Sequence, residues 1–140
     1  MQDDGHSHDE ADHNHEHDAA DYDEHVWLSV KNAKTFCKTI ADKLSQIDPE
    51  YKDEYSTNAD KYIEKLDILD GQYTEAVDNA KQKTLLFADR FPFRYLTDDY
   101  GLDYYAAFAG CSSETEASFE TISFLAEKID ELDLSTVLTI

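Results

Sequence analysis

The sequence predicts an α/β fold: a long backbone helix plus a βαβαβ parallel-sheet half-lobe, behind a disordered His/Asp-rich N-terminal segment. Three observations predict it. Apolar residues keep the three-and-four spacing of a helical face from residue 31 to residue 80. Short apolar runs at 84–88, 104–109 and 136–140 alternate with further helical patterns, the signature of parallel strands joined by right-handed crossovers. Residues 1–24 offer no apolar face to bury at all.

That first segment carries the strongest chemical signal. Between Gln2 and His25 lie all six histidines (His6, His8, His13, His15, His17, His25) and ten carboxylates, with no Lys or Arg. Imidazole nitrogens and carboxylate oxygens at one- and two-residue spacing suit a borderline divalent cation such as Zn²⁺. A purification tag would be an uninterrupted histidine run, whereas Asp, Glu, Asn and Ser are interleaved here. A merely solvated acidic tail would not be enriched in histidine. A flexible tract loses ordering entropy at each capture, so it is expected to bind weakly and unselectively. Protonating an imidazole, ordinarily at about 6.5, removes its ligand lone pair, so capture weakens in mild acid.

Residues 26–30 (Val-Trp-Leu-Ser-Val) are too short a run to divide between strand and loop. Ala33, Phe36, Cys37, Ile40, Ala41, Leu44 and Ile47 then share one face, so residues 31–47 read as an amphipathic helix. Asp48-Pro49-Glu50 supplies a cap, a proline for the first helical position and a first-turn acid. The helix it starts keeps its period through Tyr51, Tyr55, Ala59, Tyr62, Ile63, Leu66, Leu69, Tyr73, Val77 and Ala80, with Gly71 inside. About 32 such residues make a rod about 48 Å long, more than the width of a small domain. It is expected to span two bodies or lie along a side. Tyrosines and a mid-helix glycine argue against a coiled-coil seam.

Thr84 to Ala88 reads as a buried strand, 92–99 as a short helix closed by Gly101, and Tyr104 to Ala109 as a second strand. Ser112 or Ser113 is expected to cap a helix over about 115–131, with Phe119, Ile122, Leu125, Ile129 and Leu132 on one face. Thr136 to Ile140 reads as a third strand. The tyrosine excess reads mostly as packing. Cys37 and Cys111 match no CxxC spacing and sit in apolar contexts, so two buried free thiols are expected.

Composition excludes several functions. A net charge of -20 repels phosphates and anionic lipid, so nucleic acid and membrane surfaces are not expected partners. No apolar run reaches transmembrane length, and the first residues lack the parts of a signal peptide, which places the chain in the cytosol or its export signal outside this sequence. An enzyme is not expected: no GxGxxG, GxxxxGK[ST], GxSxG or HExxH occurs.

Three stretches together resemble the extracytoplasmic solute-binding proteins of zinc and manganese ABC transporters. Asp23-Glu24-His25-Val26-Trp27-Leu28, behind its acidic His-rich loop, is similar to that family's Asp-x-His-(Val/Ile)-Trp segment. Asn32-Ala33-Lys34 through Leu44, then Asp48-Pro49-Glu50 and Asn58-Ala59, resemble its linking region and long helix. Phe87-Ala88-Asp89-Arg90-Phe91-Pro92-Phe93, Asp99-Tyr100-Gly101-Leu102 and Ser113-Glu114-Thr115-Glu116-Ala117-Ser118 resemble the opening of its second lobe.

The resemblance implies a two-lobed protein that takes a metal ion in its cleft and hands it to a membrane ABC permease. This chain would be the central portion: 1–24 the His-rich segment, 25–48 the remnant of the first lobe, 49–82 the linking helix and 83–140 the first part of the second lobe. Of the family's cleft ligands, His25 carries over. Where zinc-binding members have a histidine before an aspartate, this sequence reads Ala88-Asp89, so that ligand is missing or replaced. Asp89 is the candidate substitute, against a reading in which it caps the next helix or pairs with Arg90 or Arg94. Glu114 and Glu116 read as first-turn acids rather than ligands. The expected cargo is Zn²⁺, with Mn²⁺ or another divalent transition metal as alternatives, and the expected location is extracytoplasmic. An unfinished sheet also lets two copies cover each other as a homodimer. The competing class is a stand-alone metal buffer or a helix-mediated interaction module.

Overall fold

The computed structural model describes residues 23–109 and 116–140. The tail histidines His6, His8, His13, His15 and His17, together with Cys111 and Glu114, lie outside them.

The run at 26–30 forms one 3-10 turn, Val26–Leu28, and Ser29 then caps helix α1, Val30–Ile47, by accepting the Asn32 N–H. A second 3-10 turn, Pro49–Tyr51, leads into α2, Lys52–Asn79. Together these supply the long helix that the periodicity predicts. Asp48 does not cap it. Its side chain makes no capping bond, and the Asp48 carboxylate instead accepts from the Tyr55 hydroxyl at 3.2 Å. Asp53 and Glu54 place negative charge in the first turn of α2, where the helix dipole favours it.

The two helices run antiparallel. Near the start of α1, Lys34 Nζ reaches Asp67 at 2.9 Å and Asp70 at 2.8 Å, both towards the end of α2. Val30 and Ala41 of α1 and Leu66 of α2 are the buried residues of the two helices. The rest of the apolar stripe of α1 is not buried: Phe36, Ile40 and Leu44 are exposed, and Ile47 is 80% exposed. A stripe about 100° wide needs more than one neighbour, and among the described residues α2 flanks one side only. Tyr51 and Tyr62 are likewise exposed rather than packed, and Cys37 is a half-buried free thiol.

The α/β part follows. Strand β1, Thr84–Phe91, runs three residues longer than the apolar run suggests, because Arg90 and Phe91 resume pairing with β2. It pairs in parallel with β2, Asp103–Ala109, through the crossover helix α3, Arg94–Tyr100. Gly101 closes α3 at φ 63°, the left-handed geometry that glycine adopts without steric cost. Between the pairs Phe87↔Ala106 and Arg90↔Phe108, β1 carries one residue more than β2, a bulge at Ala88-Asp89.

Helix α4, Phe119–Glu131, starts later than expected. Residues 116–118 are not helical, and the cap is Ser118, whose hydroxyl accepts the Thr121 N–H at 3.0 Å. Ser112 and Ser113, the expected caps, lie outside the described residues. The third strand contracts to a single parallel bridge, Phe87↔Leu138, held by Leu138 N–H to Leu86 O at 2.8 Å and Ala88 N–H to Leu138 O at 2.9 Å. A longer buried strand needs cover on both faces, and Val137 and Ile140 are exposed. β1 is thus the central strand, with β2 on one side and Leu138 on the other.

Leu86, Phe87, Phe91, Phe108 and Leu125 form the core here. The Phe91 ring stacks on Tyr104 at 3.7 Å and meets Phe87 edge-on at 5.1 Å. Burying such a ring contributes about 2 to 3 kcal/mol. Of the face expected on α4, Leu125 is buried, whereas Phe119 and Ile122 are exposed. No helix among the described residues is long and apolar enough to cross a membrane.

Two polar links lock α3 onto the helical pair. Ser29 Oγ donates to Asp99 Oδ2 at 2.7 Å, and the Tyr100 hydroxyl donates to Asp70 Oδ1 at 3.0 Å. The Lys34 ammonium, helped by Tyr100, holds the Asp70 carboxyl below its ordinary range against the opposing effect of burial. Asp70 and then Asp67 raise Lys34 in turn, while burial and the Asp70 carboxylate push the Tyr100 phenol up.

Candidate metal centre

The candidate centre is built on the short segment before α1. The 3-10 turn bends the chain sharply: Val26 N–H bonds Glu24 O at 2.8 Å and Leu28 N–H bonds His25 O at 3.0 Å. Asn32, in the first turn of α1, ties this bend down by donating from Nδ2 to Val26 O at 3.2 Å. His25 therefore sits on a fixed turn. It is 8% exposed, with the Trp27 ring tilted against it at 5.4 Å.

Asp23 is its nearest partner. One carboxylate oxygen, Oδ1, accepts the His25 main-chain N–H at 2.9 Å and stands 2.7 Å from Nδ1 of the same residue. Both side chains are about nine-tenths buried. From the other side, the Tyr95 hydroxyl of α3 donates to Asp23 O at 3.0 Å. The segment before α1 and the helix after β1 thus meet at Asp23.

Asp23, Glu24 and His25 each bring one possible ligand atom into a cluster no wider than 4.8 Å. Bonds of about 2.0–2.2 Å to nitrogen and oxygen donors allow up to about 4.4 Å between two ligands of one ion. At up to 4.8 Å the cluster is slightly wider than one ion would hold, and Asp23 Oδ1 is already bonded to the imidazole. The mixed nitrogen and oxygen donors, without thiolate, suit Zn²⁺ and its divalent neighbours. Glu24 is exposed, so one edge of the cluster meets solvent.

Asp89 stands outside this cluster. Its side chain is half-buried at the β1 bulge, where Oδ1 accepts the Arg90 N–H at 2.8 Å. It does not cap α3, whose N-cap residue is Phe93, and among the described residues no ion pair joins it to Arg90 or Arg94. The structure thus gives His25 two acidic neighbours that sequence reasoning quoted without assigning to the site. The signal was present in the Asp-x-His spacing; the contribution of Tyr95 had no local signal, being 72 residues away.

Residues 2–140 match the sequence profile of the family described as ZnuA, zinc-uptake complex component A, periplasmic. The chain belongs to the ZnuA family. Among its relatives within and around that family is the zinc-binding protein AdcA of Streptococcus pyogenes serotype M3, 34% identical over 139 aligned residues covering 94% of this chain and 27% of AdcA. The zinc-binding lipoprotein AdcA of Streptococcus pneumoniae serotype 4 is 38% identical over 118 residues, 84% of this chain and 23% of that protein. A manganese ABC transporter substrate-binding lipoprotein, PsaA of Streptococcus mitis, is 34% identical over 76% of the chain.

Solved ZnuA-type structures superpose closely. A Zn(II)-bound AdcAII variant of Streptococcus pneumoniae matches with a TM-score of 0.74 at 32% identity, over 90% of this chain and 46% of that one. The Zn(II)-bound ZnuA-like domain of Streptococcus pneumoniae AdcA matches with a TM-score of 0.68 at 36% identity, over 84% and 43% of the two chains. The α/β architecture expected from sequence is therefore that of the ZnuA family. The chain spans about a quarter of the length of the AdcA relatives, 35% of PsaA and under half of the solved chains.

Proposed function

We propose that this chain is the ion-capturing central part of a solute-binding protein of an ABC-type metal uptake system, with zinc as its cargo. The observation that carries the reading is the buried His25, fixed on its turn and clustered with Asp23 and Glu24, in a chain whose relatives are named as zinc-binding. The protein performs no chemistry in this reading. It takes the ion outside the cytoplasm and delivers it to a membrane permease.

The division of labour follows the sequence. Residues 1–24, with His6, His8, His13, His15 and His17, collect cations; residues 25–48 supply the ligand segment; 49–82 form the linking helix; and 83–140 open the second lobe, where Asp89 is the candidate for a further cleft ligand. The net charge of -20 raises the local concentration of divalent cations around the whole molecule. Mn²⁺ is the alternative cargo, since the donors are oxygen-rich and one relative is named for manganese. The uncovered stripe of Phe36, Ile40, Leu44 and Ile47 supports a homodimer when the chain stands alone.

A zinc titration with residues 1–20 deleted tests the reading. Zinc binding that survives the deletion and is lost on His25→Ala supports an organised site. Binding that disappears with the tail alone favours the competing reading, a stand-alone buffer whose only ligands are the tail histidines.

A further inference from the structure

We propose that Asp23 is a positioning residue for His25, fixing the imidazole tautomer so that Nε2, and not Nδ1, is the nitrogen that meets the ion. The proposal rests on the reading of His25 as a metal ligand and adds to it the group that aims the ligand.

The geometry makes the argument. A carboxylate offers only acceptors, so at 2.7 Å from Asp23 Oδ1 the proton of the neutral ring sits on Nδ1. Its lone pair is then on Nε2. Such carboxylate partners fix the ring's orientation and raise its basicity as a ligand.

Asp23 is itself held at two points. Its Oδ1 takes the His25 main-chain N–H at 2.9 Å, closing an Asx turn around the intervening Glu24. Its main-chain oxygen takes the Tyr95 hydroxyl at 3.0 Å, and its side chain is about nine-tenths buried. An Asx turn needs only the main-chain bond. The second bond, to the imidazole, is what gives Asp23 a task beyond shaping the loop.

Long-range ¹H–¹⁵N spectra of the full chain, with His25 assigned from its loss in His25→Ala, test this at the ring nitrogens themselves. Metal-free wild type is expected to show the Nδ1–H tautomer, and zinc added from a metal buffer to shift Nε2. Asp23→Ala is expected to give a mixed tautomer and to raise the free zinc needed to move the His25 signals by about 10- to 100-fold. Asp23→Asn keeps an acceptor oxygen, so it is expected to keep the tautomer with a smaller loss, and it serves if Asp23→Ala fails to fold.

An Nε2–H tautomer in the wild type, zinc shifting Nδ1 instead, or an Asp23→Ala chain with unchanged tautomer and affinity each overturns the proposal and leaves His25 standing as a ligand. His25 nitrogens that zinc never moves overturn the ligand reading, and the proposal with it.

Discussion

Ser29 and Asp99 are 70 residues apart in sequence and 2.7 Å apart in the fold. Ser29 is 1% exposed and its hydroxyl acts twice, capping α1 through the Asn32 N–H and donating to Asp99 at the end of α3. Ser29→Ala removes both bonds and leaves a shielded carboxylate with fewer donors. The expected cost is about 2 kcal/mol, read as a lower urea midpoint with an unchanged m-value. A loss of under half that would mean the capping bond alone matters.

The Lys34–Asp70 pair makes stability depend on pH in a defined window. Asp70 is held below its ordinary value, so the pair contributes stability above the usual carboxylate range, near 3.9, and loses it as pH falls through the lower folded value. Lys34 is raised, so its share persists until pH climbs past the ordinary lysine value, near 10.4. Asp70→Asn is expected to destabilise by about 1 kcal/mol at neutral pH. Thermal melts of the two proteins should converge as pH falls through the depressed Asp70 value.

Two glycines predict opposite signs. Gly71 lies inside α2 with nothing within 4 Å of an added Cβ, so Gly71→Ala should stabilise by about 0.5–1 kcal/mol. Gly101 is equally open but sits at φ 63°, so Gly101→Ala should destabilise by about 1–2 kcal/mol. Calorimetric melting temperatures that move in the same direction would contradict the backbone argument.

Zinc should raise the melting temperature only through a site that folding creates. In the folded chain the Asp23–His25 turn is held by the Asx bond and by the Tyr95 hydroxyl from α3, so zinc taken at this cluster is linked to folding. At free zinc a hundredfold above the dissociation constant, the expected gain is about 2.7 kcal/mol. His25→Ala should abolish the gain while leaving much of the zinc uptake by mass in place.

Local signals were the legible part of the fold. The three-and-four spacing located α1 and α2, and Gly101 marked the end of α3, because these features are written in neighbouring residues. Features settled by distant partners were not. Asp48 is a strong cap by type, yet Tyr55 occupies its carboxylate. Thr136 to Ile140 is strand-like by composition, yet among the described residues it pairs through the single Phe87↔Leu138 bridge. The three-and-four period of α1 reports what its apolar face is made of and not what covers it.

The candidate site divides in the same way. His25 is visible through its segment, and Asp23 through its spacing, but the hydroxyl that anchors Asp23 arrives from another helix. Asp89 could be found by position alone, and the bulge that holds it emerges only from the strand register.

That anchor has a temporal consequence. Ribosomes produce Asp23 and His25 long before Tyr95; at about 5–20 residues per second, the interval is roughly 4–14 seconds. Throughout it the turn that carries Asp23 and His25 lacks the hydroxyl that steadies it. In the role proposed for His25, metal loading by this segment therefore waits until β1 and α3 have been made and docked.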